Sequence, residues 1–83
     1  MMPTDRNVLK TIVTIARTAR YPGIRTRRGY ALLADVEKVY PTSDRGRVRG
    51  AIERLIDNGS VVHVYAPDGV RLFRHLTRSE AGR

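Results

Sequence analysis

Apolar residues recur at three- and four-residue spacing in three segments of the chain, which is the period of an α-helix with one buried face. In the first segment Val8, Leu9 and Ile12 begin the apolar stripe, and Thr4 or Asp5 precedes it as a helix cap. The spacing predicts three helices, over about residues 5–20, 30–40 and 43–58.

Residues that start or stop a helix separate these segments. Tyr21-Pro22-Gly23 ends the first helix and Pro41 ends the second, because proline cannot donate to the helical hydrogen-bond ladder. Thr42 or Ser43 can cap the third helix, and Asp57-Asn58-Gly59 supplies the left-handed residues that commonly end one. The boundaries therefore agree with the apolar spacing.

The last third of the chain has the composition of strands. Residues 61–65 and 70–76 are rich in β-branched and aromatic side chains, and Ala66-Pro67-Asp68-Gly69 between them is a turn sequence. These features predict a β-hairpin over about residues 61–76. If Tyr65 pairs with Val70, the pattern leaves open which face is buried: the face with His63, Tyr65, Val70 and Leu72, or the face with Val62, Val64, Arg71 and Phe73.

The predicted element order is helix, helix, helix, hairpin, with a short extended segment at residues 24–28. It indicates an α+β fold, a three-helix domain with a C-terminal two-stranded hairpin, and residues 1–83 form one small domain. The chain has no cysteine, so packing alone must stabilise the fold, without a disulfide or a thiolate metal site.

Residues 31–39 (ALLADVEKV) lead into residues 42–62 (TSDRGRVRGAIERLIDNGSVV), with a hydroxyl cap, a leucine pair, a glycine and an aliphatic strand in order. This run resembles the winged-helix family of DNA-binding proteins, and His75-Leu76-Thr77 is similar to the end of the wing in many bacterial and archaeal repressors of that family. The resemblance covers residues 8–77, although the loop at 21–29 is longer and more basic than is usual. It implies a helix-turn-helix whose third helix enters the major groove, with the hairpin as a wing.

The net charge of the chain indicates the chemical class of its partner. Sixteen Lys and Arg against eight Asp and Glu give a net charge of +8 and indicate a polyanionic partner. Fourteen of the sixteen are arginines, which suits contact with phosphate and guanine, although a GC-rich genome or a hot habitat produces the same bias. Residues 1–28 carry +6 and residues 29–42 carry −1, so the middle segment is expected to face away from phosphates.

The third helix carries most of the candidate DNA-binding residues. At 100° per residue, the face opposite Val48 holds Gly46, Arg47, Gly50 and Arg54, together with Glu53 and Asp57. This face is expected to meet the major groove, while residues beside the apolar stripe or in the first turn contact flanking phosphates: Ser43, Arg45 and Arg49.

Each of these features has a second interpretation. Gly46 and Gly50 cost about 1 kcal/mol each relative to alanine, so they serve close approach to DNA or are drift in a tolerant helix. The arginines contact DNA or form a solvated face with Glu53 and Asp57 as partners.

Two further basic groups flank the helix-turn-helix. Arg71 and Arg74 of the hairpin are expected in the adjacent minor groove or on its phosphates, the alternative being ordinary surface arginines. Arg25, Arg27 and Arg28 precede the second helix, whose N-terminus commonly lies near backbone phosphate in this motif.

The sequence offers no set of residues for catalysis or metal binding. It lacks a nucleophile elbow, a glycine-rich phosphate loop and paired carboxylates, and a chain of this size has little room for a pocket, so we expect no enzyme activity and no cofactor. His63 and His75 fall on opposite hairpin faces under the assumed pairing, which argues against a metal site.

Together these features predict a cytoplasmic regulator of transcription that binds double-stranded DNA, as a homodimer on a palindrome or a monomer on a half-site. The sequence shows no membrane segment, no secretion signal and no sign of a small-molecule effector. Two alternatives are a winged helix that binds structured RNA and a protein-interaction adaptor.

Overall fold

A computed structural model describes residues 2–18, 29–66 and 69–75 of the chain. Over these ranges the protein has an α+β fold of three α-helices and a three-stranded antiparallel sheet, whose last two strands form a C-terminal hairpin. In chain order the elements are α1 (Asp5–Thr18), β1 (Ala31–Leu32), α2 (Leu33–Lys38), α3 (Arg45–Asp57), β2 (Val61–Tyr65) and β3 (Arg71–His75), with a 3₁₀ turn (Thr42–Asp44) directly before α3.

The start of α1 is capped as the sequence predicts. Thr4 is the cap, because its Oγ1 accepts a hydrogen bond of 3.2 Å from the backbone N–H of Asn7. The described part of α1 ends at Thr18, so the predicted stop at Tyr21-Pro22-Gly23 and the extended segment at 24–28 lie outside the described residues.

The two ends of α3 differ in how well the sequence predicts them. Thr42 and Ser43 both belong to the 3₁₀ turn, and neither of them caps α3. The residue at the cap position is Asp44, and its side chain makes no hydrogen bond that caps the helix. The prediction of a hydroxyl cap is therefore wrong, because the chain enters α3 through helical backbone that already pairs its own N–H groups.

The C-terminal end of α3 is confirmed at Gly59, whereas Asp57 and Asn58 do not have the left-handed backbone that the sequence predicted for them. Gly59 has a φ of +80°, the N–H of Ser60 donates to the carbonyl of Leu55 at 2.9 Å, and the N–H of Gly59 donates to that of Ile56 at 3.1 Å. These bonds form a Schellman motif, which satisfies the last helical carbonyls before the chain enters β2.

The second helix is shorter than predicted because a third strand takes its first residues. Ala31 and Leu32 pair with Phe73 and Leu72 of β3, and α2 starts only at Leu33. The expected helix over residues 30–40 is therefore wrong at its start, and the sheet has the strand order β1-β3-β2, with β3 in the centre. In this segment the main-chain pairing with β3 outweighs the preference for helix that the apolar spacing indicates.

The hairpin is confirmed, but its register differs by one residue from the assumed pairing. Tyr65 pairs with Arg71, and the N–H of Ala66 donates to the carbonyl of Val70 at 2.9 Å. Five residues thus lie between Tyr65 and its partner in place of the four assumed, and Gly69 among them has a φ of +83°. One face consequently carries Val61, His63, Tyr65, Arg71, Phe73 and His75, and the other carries Val62, Val64, Leu72 and Arg74.

The inward face of the sheet is the one with Phe73, which is fully buried at the centre of the core. It packs with Val8 and Ile12 of α1 and with Val48 and Ile52 of α3, all at most 1% exposed. At the edge of this core Thr11 Oγ1 donates to the carbonyl of Asn7, so the hydroxyl of Tyr40 is the donor in the buried 3.0 Å bond between Tyr40 and Thr11.

Among the helices of the described ranges, none has the length and apolar character that crossing a membrane requires.

Candidate nucleic-acid interface

The N-terminal half of α3 presents three exposed arginines. The side chains of Arg45, Arg47 and Arg49 are 55%, 71% and 58% exposed. Their direction follows from burial on the other side of the helix, where Val48, Ala51, Ile52 and Leu55 pack into the core. Ser43 is also exposed, one turn before them in the 3₁₀ turn.

Each of these arginines lies beside a carboxylate. The Nε atoms of Arg45 and Arg49 lie 3.4 and 3.1 Å from the same oxygen of Glu37, Oε2. The Nη1 atom of Arg47 lies 3.6 Å from Asp44, an ion pair rather than a hydrogen bond. The partners are thus Glu37 and Asp44, not Glu53 and Asp57, which the sequence offered for a solvated face.

Arg54 lies on the side of α3 that meets α1. Its Nε and Nη2 atoms both hydrogen bond to the carboxylate of Asp5, at distances of 2.8 to 3.1 Å. This hydrogen bonding lowers the pKa of Asp5 below its usual value and raises that of Arg54. Arg54 therefore joins α3 to the start of α1, and it does not lie with the three arginines of the N-terminal half.

The two glycines of α3 are not required by packing within the protein. A Cβ built at Gly46 meets no atom within 4 Å, and one at Gly50 meets only the guanidinium end of Arg54, at 3.4 Å. Both positions have room for alanine, so their cost in helix stability is not offset by an intramolecular contact among the described residues.

Arg71 faces α3 rather than the solvent. Its Nη2 donates to Glu53 at 2.8 Å, its Nε donates to Nδ1 of His63 at 3.4 Å, and its guanidinium carbon lies 5.1 Å from the ring centre of Phe73. The side chain is only 24% exposed. Arg71 thus fixes the hairpin against α3, whereas Arg74, three residues further along β3, lies on the opposite face of the sheet.

A cleft of about 380 Å³ opens beside this contact. It lies between the start of α2, the middle of α3 and β3, and it is lined by Leu33, Arg49, Ile52, Glu53 and Arg71. Leu33, the first residue of α2, directly follows the strand β1, which pairs with β3.

The remaining predicted residues separate into two groups. Arg25, Arg27 and Arg28 lie outside the described residues. His63 and His75 lie on the same face of the hairpin, which corrects the expectation of opposite faces and follows from the changed register. Within residues 2–18, 29–66 and 69–75, no three His, Cys, Asp or Glu side chains come together as a metal site requires.

Sequence reasoning missed the acidic residues that hold the arginines. Glu37 lies eight and twelve residues before its partners, and Asp5 lies 49 residues before Arg54, so no local spacing connects them. Asp44 and Arg47 are the exception, because their i,i+3 spacing on the helix start is visible in the sequence.

Comparison of the chain with protein-family models, with curated proteins and with solved structures finds no match in any of the three. The resemblance of residues 8–77 to winged-helix proteins therefore stays a prediction.

The Asp5–Arg54 contact predicts a pH dependence of stability. Because the folded pKa of Asp5 is lowered, its contribution is present at neutral pH and is lost as the pH falls through that pKa. We expect the difference in unfolding free energy between the wild type and Arg54→Gln to be largest near pH 7 and to close in acid. Urea unfolding over a pH series, with an NMR titration of the Asp5 carboxyl, measures both effects.

The matched control for this experiment is Arg47→Gln, which removes another exposed arginine of α3 and should leave the pKa of Asp5 unchanged. A difference for Arg54→Gln that is equally large at pH 7 and pH 3 would show that the contact is not ionic. Because both partners are solvent-exposed, added salt should also reduce the difference.

The glycines predict opposite effects of the same substitution. Gly50→Ala should stabilise the protein by about 0.5–1 kcal/mol, because alanine is the better helix former and only the flexible end of Arg54 must move. Gly59→Ala should destabilise it by about 1 kcal/mol or more, since φ at Gly59 is +80°. Equal changes in the urea unfolding midpoint for the two variants would contradict the described backbone of α3.

Proposed function

We propose that this chain is a winged-helix protein that binds double-stranded DNA and regulates transcription, with the N-terminal half of α3 as its main contact surface. The observation that carries the proposal is the cluster of Arg45, Arg47 and Arg49, whose side chains are all more than half exposed. Gly46 and Gly50 lie beside them, and the space that a Cβ would take at these positions is not filled by the packing of the protein. In helix-turn-helix proteins the N-terminal residues of the second helix contact base edges. This surface therefore combines the charge and the close backbone approach that such a contact needs.

The ion pairs of these arginines are compatible with DNA binding. An exposed pair between arginine and carboxylate contributes about 0–1 kcal/mol, so the guanidinium can leave it for a phosphate or a guanine at little cost. Glu53 and Asp57 are the exposed acids of the C-terminal half of α3. The charge of α3 thus changes from basic to acidic along the helix, which favours an approach with the N-terminal half nearest to the DNA.

The proposal divides the other predicted contacts. Arg54 and Arg71 are assigned to fixing α3 against α1 and the hairpin, since their guanidinium groups face those elements. Ser43 and Arg74 remain candidates for flanking phosphates, as do Arg25, Arg27 and Arg28 by their charge alone. A cytoplasmic location, binding as a monomer or a homodimer, and control by protein concentration complete the proposal.

Fluorescence anisotropy with a labelled mixed-sequence duplex tests the proposal across a salt series. We expect the logarithm of the affinity to fall against the logarithm of salt with a slope of about −4 to −6, as for about five neutralised phosphates. Arg47→Gln should make this slope shallower by about 0.9, because one phosphate contact is lost. Arg6→Gln, which removes the same charge from the exposed side of α1, should leave the slope unchanged.

Three outcomes would contradict the proposal. Tighter binding of a folded RNA than of the duplex at matched salt would favour the RNA alternative. The absence of salt-dependent binding to either nucleic acid would favour a protein-interaction adaptor. Equal affinity for every duplex in a selection would remove the sequence-specific regulator but keep the DNA-binding surface.

A further inference from the structure

Two arginines of α3 converge on a single anionic oxygen. Arg49 Nε donates a hydrogen bond of 3.1 Å to Oε2 of Glu37, and Arg45 Nε lies 3.4 Å from the same atom. Residues 45 and 49 are one helical turn apart, so their side chains leave α3 on the same side. Glu37 belongs to α2, and its side chain is only 13% exposed, whereas the two arginines are more than half exposed.

This arrangement has the chemistry of a phosphate site. Arginine binds carboxylate and phosphate oxygens through the same charge-assisted hydrogen bonds, and two guanidinium groups around one oxygen suit a phosphodiester as well as a carboxylate. We propose that Arg45 and Arg49 form one phosphodiester-binding site, and that Glu37 occupies it in the free protein and competes there with the DNA backbone. The proposal rests on the DNA-binding function proposed above.

The balance of charge and exposure determines how Glu37 acts. Two positive groups face one negative group, so the site keeps a residual positive charge that attracts a phosphate. Glu37 is held on α2 and is mostly covered, so it stays near the site while the exposed arginines turn outwards. The carboxylate then repels the incoming phosphate over a few ångströms, where salt screens little. Glu37 therefore lowers the affinity for every duplex, whatever its sequence.

Removing this charge gives the direct test. Glu37→Gln keeps the shape of the side chain, and we expect it to raise the affinity for a mixed-sequence duplex about three- to tenfold at physiological ionic strength. The slope against salt should become steeper by about 0.9, as for one additional neutralised phosphate. Anisotropy titrations of wild type and variant over the same salt series measure both quantities.

Asp57→Asn is the matched control, because it removes one negative charge from the exposed end of α3. Asp57 lies eight residues beyond Arg49, about 12 Å along the helix axis, which exceeds the screening length of about 8–10 Å at physiological salt. We expect less than a twofold change in affinity for Asp57→Asn. The gain from Glu37→Gln should also vanish when Arg45→Gln and Arg49→Gln are present in the same chain.

The outcomes separate the two proposals. If the wild type binds duplex DNA and Glu37→Gln gains no more than Asp57→Asn, or binds more weakly, the competing role of Glu37 is wrong and the DNA-binding function stands. If the wild type binds no duplex, the proposed function fails, and thermal unfolding in inorganic phosphate at constant ionic strength decides the anion site alone. Stabilisation of Glu37→Gln by phosphate beyond that of the wild type supports the site, and equal stabilisation overturns it.

Discussion

The burial of Val48, Ala51, Ile52 and Leu55 against α1 and the sheet determines which side of α3 faces outwards. A helix has one orientation that hides such a stripe, so the directions of its polar residues follow from the apolar ones. Phe73 completes this constraint from the sheet, because β3 is the central strand and its fully buried ring packs in the same core. The exposed arginines and glycines of α3 are thus a consequence of how the core is filled.

Electrostatic contacts then divide the arginines by function. Arg54 of α3 hydrogen bonds to Asp5 of α1, and Arg71 of β3 hydrogen bonds to Glu53 of α3, so each of these arginines joins α3 to another element. Arg45, Arg47 and Arg49 lie 3.1 to 3.6 Å from their carboxylates, whereas Arg54, although 61% exposed as well, makes three hydrogen bonds of 2.8 to 3.1 Å to Asp5. The number of basic residues therefore overstates the positive charge that a partner can contact. The distances within each ion pair show which arginines can leave their carboxylate for a partner.

The sequence predicts the parts of this fold that depend on local chemistry. The helices, the cap at Thr4 and the stop at Gly59 follow from apolar spacing and from residues with known backbone preferences. The strand at Ala31–Leu32 could not be found in this way, because two residues show no period and their partners lie about forty positions later. The hairpin register failed for a smaller reason: the partner of Tyr65 is Arg71 and not Val70, so the connection around Gly69 is one residue longer than assumed.

The candidate site, like the fold, is predicted from the sequence only in part. The outward face of α3 follows from the sequence alone, but the roles of Arg54 and Arg71 depend on tertiary contacts that no spacing reveals. Glu37 was predicted only as part of an acidic segment facing away from phosphates, yet its carboxylate lies between two of the candidate contacts. Long-range pairs of this kind depend on where the core places the helices, so the order of residues does not predict them.

An NMR titration of the ¹⁵N-labelled protein with a short duplex tests most directly whether the N-terminal half of α3 is the surface that meets nucleic acid. The account predicts the largest amide shifts at residues 43–50, smaller ones in the hairpin, and little change at Val8 or Ile12 in the middle of α1. Shifts concentrated on α1, or on the C-terminal half of α3 around Glu53 and Asp57, would contradict it.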